Sequence, residues 1–135
     1  MIVSRERAAV KNAADVGTLL KNLLGQEDEL DQAKEHFWSV LLDTKHRVVA
    51  IELVSLGILD GSLIHPREIF RRAIREGAGS IIIVHNHPSG HSDPSAEDKE
   101  ITRRLKEAGK LLGIPILDHV IIGETIFSFR ERGEL

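Results

Sequence analysis

Ser80-Ile81-Ile82-Ile83-Val84-His85-Asn86-His87-Pro88-Ser89-Gly90-His91-Ser92-Asp93-Pro94-Ser95-Ala96-Glu97-Asp98 is the stretch from which the rest of the chain can be placed. Residues 80–84 are short, mostly β-branched and apolar, the pattern of a buried strand. Beyond Ser95, apolar residues return as Ile101, Leu105, Ala108 and Leu112, with Arg103, Arg104, Lys106, Glu107 and Lys110 between them, which predicts one buried face of a helix ending near Gly113. Residues 85–98 therefore join a strand to a helix, and loops at such crossings commonly carry function.

Side chains in a strand alternate between faces, so His85 and His87 project to the same side. Asp98 returns on the first turn of the following helix. Zinc accepts imidazole nitrogen and carboxylate oxygen, and a catalytic site needs three protein ligands with one position left for water. His85, His87 and Asp98 supply three such ligands, and Ser95, three residues ahead of Asp98, falls beside them. A plainer account is available for the last pair. Ser95 and Asp98, after Pro94 and ahead of an apolar-periodic run, have the spacing of a capping box, which only satisfies the free amides of a helix start.

The whole constellation is His85-x-His87, seven residues, Ser95, two residues, Asp98. It resembles the metal-binding signature of the JAB/MPN (JAMM) metalloproteases. His-Asn-His-Pro-Ser-Gly at 85–90, Pro-Ser-x-x-Asp at 94–98 and Asp-His-Val-Ile-Ile-Gly at 118–123 are similar to the bacterial RadC-like branch, as are Glu-His-Phe at 35–37 and His-Pro-Arg-Glu-Ile-Phe at 65–70. The resemblance runs from about Asp15 to the C-terminus.

The resemblance implies an α/β fold of the JAB/MPN, cytidine-deaminase-like kind, three layers with a mixed, mostly antiparallel sheet flanked by helices. It implies one zinc ion on His85, His87 and Asp98, a zinc-dependent hydrolase of peptide or isopeptide bonds, and a peptide or protein substrate. Ser95 would steady the oxyanion. Glu35 on its own reads as an edge carboxylate; the resemblance makes it the general base. The neighbouring His36 matches no ligand position, and neither do His91 and Asp93 inside the loop. His119 recurs in the RadC-like words without a catalytic role, so an orienting or packing role is expected. Residues 1–30 are expected as a tail with a short helix, and 31–135 as the catalytic domain. The helix-hairpin-helix-like N-terminal region of RadC-like proteins has no counterpart in the present sequence. RadC-like proteins also carry a DNA-repair label, so nucleic acid is an alternative partner. MPN scaffolds lacking chemistry are a third possibility.

Composition narrows these choices. At 135 residues the chain fits one domain. A formal net charge of −3 gives no support to a strongly basic nucleic-acid binder. With no cysteine, disulfides, thiolate ligands and a cysteine nucleophile are excluded. No apolar run approaches the ~18 residues of a membrane span and no signal-peptide pattern opens the chain, so a cytoplasmic, membrane-free protein is expected.

Other elements follow from periodicity. Residues 1–12 are expected to be a frayed or weakly packed tail. A short helix should run from Asp15, as its cap, to Gly25, with Val16, Leu19, Leu20, Leu23 and Leu24 on one face; an acidic, solvated link follows at 27–31. Residues 35–42 and 47–55 read as a hairpin of strands covered on both faces. Residues 57–63 read as a loop, 66–76 as a helix with Arg67, Arg71 and Arg75 on an outer face, 114–122 as a strand, and 125–129 as its return. His46 and His65 read as turn or loop residues.

Overall fold

The computed structural model describes residues 1–57 and 64–135 of the chain. Its centre is a six-stranded sheet built from β1 (Ile2–Ser4), β2 (His36–Leu42), β3 (Val48–Leu56), β4 (Ser80–Asn86), β5 (Ile116–Ile122) and β6 (Ile126–Ser128), in the spatial order β1-β3-β2-β4-β5-β6. Every pairing is antiparallel except β4 with β5. That parallel pair needs a crossover, which is the loop 87–95 and the longest helix of the described residues. The helices are α1 (Ala13–Gly25), the one-turn α2 (Glu29–Gln32), α3 (Pro66–Arg75) and α4 (Ala96–Leu112).

β2 and β4 are buried at every position, as near-continuous apolar runs in the middle of a sheet must be. Alternation divides their side chains between two cores. Trp38, Val40, Leu42, Ile82 and Val84 meet Val16 and Leu20 of α1 on one face. Phe37, Leu41, Ile81 and Ile83 meet Ile69 and Phe70 of α3 and Ile101 and Leu105 of α4 on the other. The result is the expected three-layer α/β arrangement, with a mixed, mostly antiparallel sheet. His85 continues the odd-numbered series, so the strand's own period delivers it to the α3/α4 face.

Within the expected frayed or weakly packed tail, residues 2–4, 9 and 10 are ordered against the sheet, while most of the rest of 1–12 is exposed. Ile2 pairs with Glu52 and Ser4 with Ile51, Ala9 bridges to Arg47, and Val10 is buried. Three residues are too few for alternation to be visible in sequence, and the edge of β3 supplies the order. The expected cap Asp15 also gives way to Asn12. The Asn12 side chain accepts from the Asp15 amide at 2.9 Å, and Asp15 in turn accepts from the Lys11 amide at 2.9 Å. Asp15 is thus the far member of a reciprocal cap. The acidic link contains α2, capped by Asp28. Most of the expected loop 57–63 lies outside the described residues. Among the described residues no helix is long and apolar enough to cross a membrane.

Candidate metal centre

The strand β4 continues two residues past its apolar run, so His85 is a strand residue, fully buried beneath the ring of Phe37. His87 lies one residue past the strand end, where its amide donates to the carbonyl of Ile122 at 2.8 Å. The chain then turns at Gly90, which has φ 93°, and returns to start α4 with Ser95 as N-cap. Gly90 is locked against the β5–β6 turn: its carbonyl accepts from the Glu124 amide at 2.8 Å. A Cβ on Gly123 would collide with that same carbonyl oxygen, which is the physical reason for a glycine there.

Both readings of Ser95 and Asp98 hold at once. The Ser95 amide donates to Asp98 Oδ2 at 2.8 Å and the Asp98 amide to Ser95 Oγ at 3.1 Å, a complete capping box. The cap also aims the Asp98 carboxylate at the two imidazoles. Asp98 Oδ1 lies 3.1 Å from His85 Nε2, Asp98 Oδ2 lies 3.2 Å from His87 Nε2, and the two Nε2 atoms are 2.9 Å apart. Donor atoms about 2.0–2.1 Å from one tetrahedral ion are roughly 3.3 Å from each other. The closest approaches are near that spacing, with each Asp98 oxygen serving a different imidazole, and one ligand atom from each residue can be chosen with all three within 4.8 Å of one another.

Hydrogen-bond partners decide which nitrogens carry protons. The Thr102 hydroxyl donates to the Asp98 carbonyl at 2.8 Å, one helical turn back, so its oxygen is left to accept from His119 Nδ1. With Nδ1 protonated, neutral His119 offers Nε2 as an acceptor, and His85 Nδ1 donates to it at 2.8 Å. His85 Nε2 is then a lone pair. On the other side, His87 Nδ1 has a carbonyl partner, that of His91 at 2.8 Å, so it too must carry the proton, leaving His87 Nε2 as a second lone pair. Two lone pairs and a carboxylate meet in one place. A proton there relieves a single pair, whereas a divalent cation serves all three. Such hydrogen-bonded orienting partners are the usual support of metal-binding histidines.

Burial, reinforced by His85, pushes His119 well below the ordinary imidazole value and keeps it neutral. Burial penalises the Asp98 carboxylate, but a proton placed on His85 Nε2, together with the Ser95 hydrogen bonds, outweighs it and holds the group well below the ordinary carboxylate range, so Asp98 stays anionic even when a proton rather than a cation occupies the cluster. Asp118, next to His119, is raised by burial against the opposing hydrogen bonds. It receives the amides of His119 and Arg130 and the hydroxyl of Ser128, and so pins the end of the chain to β5.

His85, His87 and Asp98 are thus brought together, with ligand atoms all within 4.8 Å of one another. Glu35 stands just before β2 and lines, with His87, Pro88, Ser89, Ser95, Glu97 and Asp98, a cleft of about 350 Å³. His36 is elsewhere: its ring stacks on Trp38, its Nε2 lies 2.7 Å from a Glu27 carboxylate oxygen and its Nδ1 2.8 Å from the Lys34 carbonyl. His91 contributes its carbonyl, not its ring. Thr102 of this network, and Asn86 beside it, whose side chain bonds the His36 amide and the Lys34 carbonyl, have no role in the sequence analysis. Thr102 carried a signal, since it is the polar member of the α4 face that holds Asp98, Ile101 and Leu105. Asn86 carried none beyond its place between two histidines.

Residues 10–134 match the family described as RadC-like JAB domain. The chain belongs to that family. Its similarity to the UPF0758 protein of Rubrobacter xylanophilus is 47% identity over 129 residues, covering 96% of this chain and 55% of the relative. The UPF0758 protein of Caldanaerobacter subterraneus is 49% identical over 129 residues, 95% of this chain and 53% of the relative. That of Chlorobium chlorochromatii is 56% identical over 106 residues, 78% of this chain and 48% of its own. This RadC-like JAB domain therefore spans about half the length of the curated relatives it matches.

Proposed function

We propose that this RadC-like JAB domain is a zinc-dependent hydrolase of peptide or isopeptide bonds. The observation that carries the reading is the convergence of the Nε2 atoms of His85 and His87 with the Asp98 carboxylate. His85, His87 and Asp98 hold the ion. Zinc bound by them supplies Lewis acidity for polarising water and a substrate carbonyl. Glu35, on the wall of the same cleft, accepts the proton of the attacking water and passes it to the departing amine. Ser95 Oγ already accepts from the Asp98 amide, so its own hydrogen remains available to donate to the developing oxyanion. A contact of that kind is worth roughly 3 kcal/mol in the transition state. The substrate is a small or extended peptide segment, held along the cleft.

The surface arginines do not strengthen a nucleic-acid reading. Arg71 is paired with Glu68 at 2.7 Å and Arg72 with Glu52 at 2.8 Å, so part of the basic face of α3 is spent within the protein.

The test is metal analysis of the purified protein together with a peptide-library digest. Stoichiometric zinc in the parent, zinc but no cleavage in Glu35→Gln, and no zinc in His87→Ala are the expected results. Absence of bound metal after reconstitution would overturn the proposal.

A further inference from the structure

We propose that Asn86 is the positioning residue for Glu35, tying the end of β4 to the residue that lines the cleft together with His87 and Asp98. The inference rests on the reading of Glu35 as the general base.

Main-chain pairing between β2 and β4 starts at Phe37 with His85. One step further the ladder stops, because the His87 amide turns away to the Ile122 carbonyl on β5. Residues 34–36 would then have no partner on the β4 side. The Asn86 side chain takes that place. Its Oδ1 accepts from the His36 amide at 2.5 Å and its Nδ2 donates to the Lys34 carbonyl at 3.0 Å. Those two groups are the main-chain neighbours on either side of Glu35, so one side-chain amide does what a strand residue would do. From the β3 side, the Gly57 amide donates to the carbonyl of Glu35 itself at 2.9 Å.

Gripped from both sides, Glu35 leads from the bend at Lys34 directly into β2, and continuing the strand's alternation back by one residue sends Glu35 to the face that also takes Phe37 and His85. Asn86 is itself buried, so the amide has no water to compete for it. Only an amide can both accept from the amide N–H and donate to the carbonyl at this span. Aspartate lacks the donor, and alanine lacks both groups. The geometry also accounts for an asparagine between two histidines: 85 and 87 face the centre, while 86 reaches sideways in the sheet to fix the third participant.

The experiment compares the parent with Asn86→Ala and Asn86→Asp. In Asn86→Ala, amide exchange at His36 should accelerate about tenfold or more while Phe37, held by the β2–β4 ladder, stays protected. Zinc affinity, read by chelator competition, should stay within about threefold of the parent, because no ligand or ligand partner is touched. Turnover of a peptide that the parent cleaves should fall about a hundredfold with KM nearly unchanged, the signature of a misplaced reacting group. Asn86→Asp, which keeps the acceptor for His36, should fall between the two, and it carries the same readings if the alanine variant does not fold. Unchanged turnover in a folded variant, or a loss that merely follows lost zinc, overturns the proposal. If the parent binds zinc yet cleaves nothing, the hydrolase reading fails by itself. The role of Asn86 is then judged from crystals: residues 34–36 displaced from His85 and His87 by about 1 Å or more in Asn86→Ala support it, and an unmoved segment overturns it.

Discussion

The two histidines of the candidate centre are held in opposite ways. His85 is fully buried, and its orienting partners are side chains: His119 from β5 and, through it, Thr102 from α4. His87 keeps 16% of its side chain exposed, and its orienting partner is a main-chain carbonyl in the surface loop, that of His91. The inner half is thus written into residue identities on two other elements. The outer half is written into a loop path, which Gly90 and Gly123 enforce. Substitutions should therefore be felt by identity on the inside and by backbone geometry on the outside.

The strongest test of that contrast is His119→Leu. It leaves His85 Nδ1–H buried without an acceptor and frees the ring to change tautomer, so zinc affinity should fall about 10–100-fold in chelator competition. Next is Gly123→Ala, which touches no ligand. Its methyl group must push the Gly90 carbonyl and with it the loop behind His87, costing about 2–3 kcal/mol in denaturant unfolding. Thr102→Val is isosteric and removes the hydroxyl shared by His119 and the Asp98 carbonyl. A buried imidazole N–H is left unpaired, for a loss of about 1–2 kcal/mol by the same measurement. The smallest effect is expected of His91→Ala, within about 0.5 kcal/mol and with zinc affinity retained, because only its carbonyl is used. A large loss of zinc in His91→Ala, or none in His119→Leu, would erase the distinction between the halves.

The two histidines also show how far a linear reading reaches. Spacing alone put His85 and His87 on one side of a strand, because the side-chain period is two whatever the strand packs against. It also set two accounts of Ser95 and Asp98 against each other as a cap or as part of a centre. They were never exclusive: a capping carboxylate presents one oxygen to the Ser95 amide and still has lone pairs to face the imidazoles. Glu35 read by itself as an edge carboxylate, since nothing local marks a residue whose role depends on a strand 50 positions away.

What the residues determined unaided are the features whose physics is local. The helix α4 with its cap, the buried strands β2 and β4, and the exclusion of thiolate chemistry needed only neighbours in the chain and a count of residue types. The tertiary structure alone decided three others: that residues 2–4 join the sheet, that Thr102 and His119 fix the protons of His85, and that Asn86 replaces a strand beside Glu35. Each depends on a hydrogen bond between residues brought together by sheet order and crossover, and no periodicity within a segment encodes which distant donor will meet which acceptor.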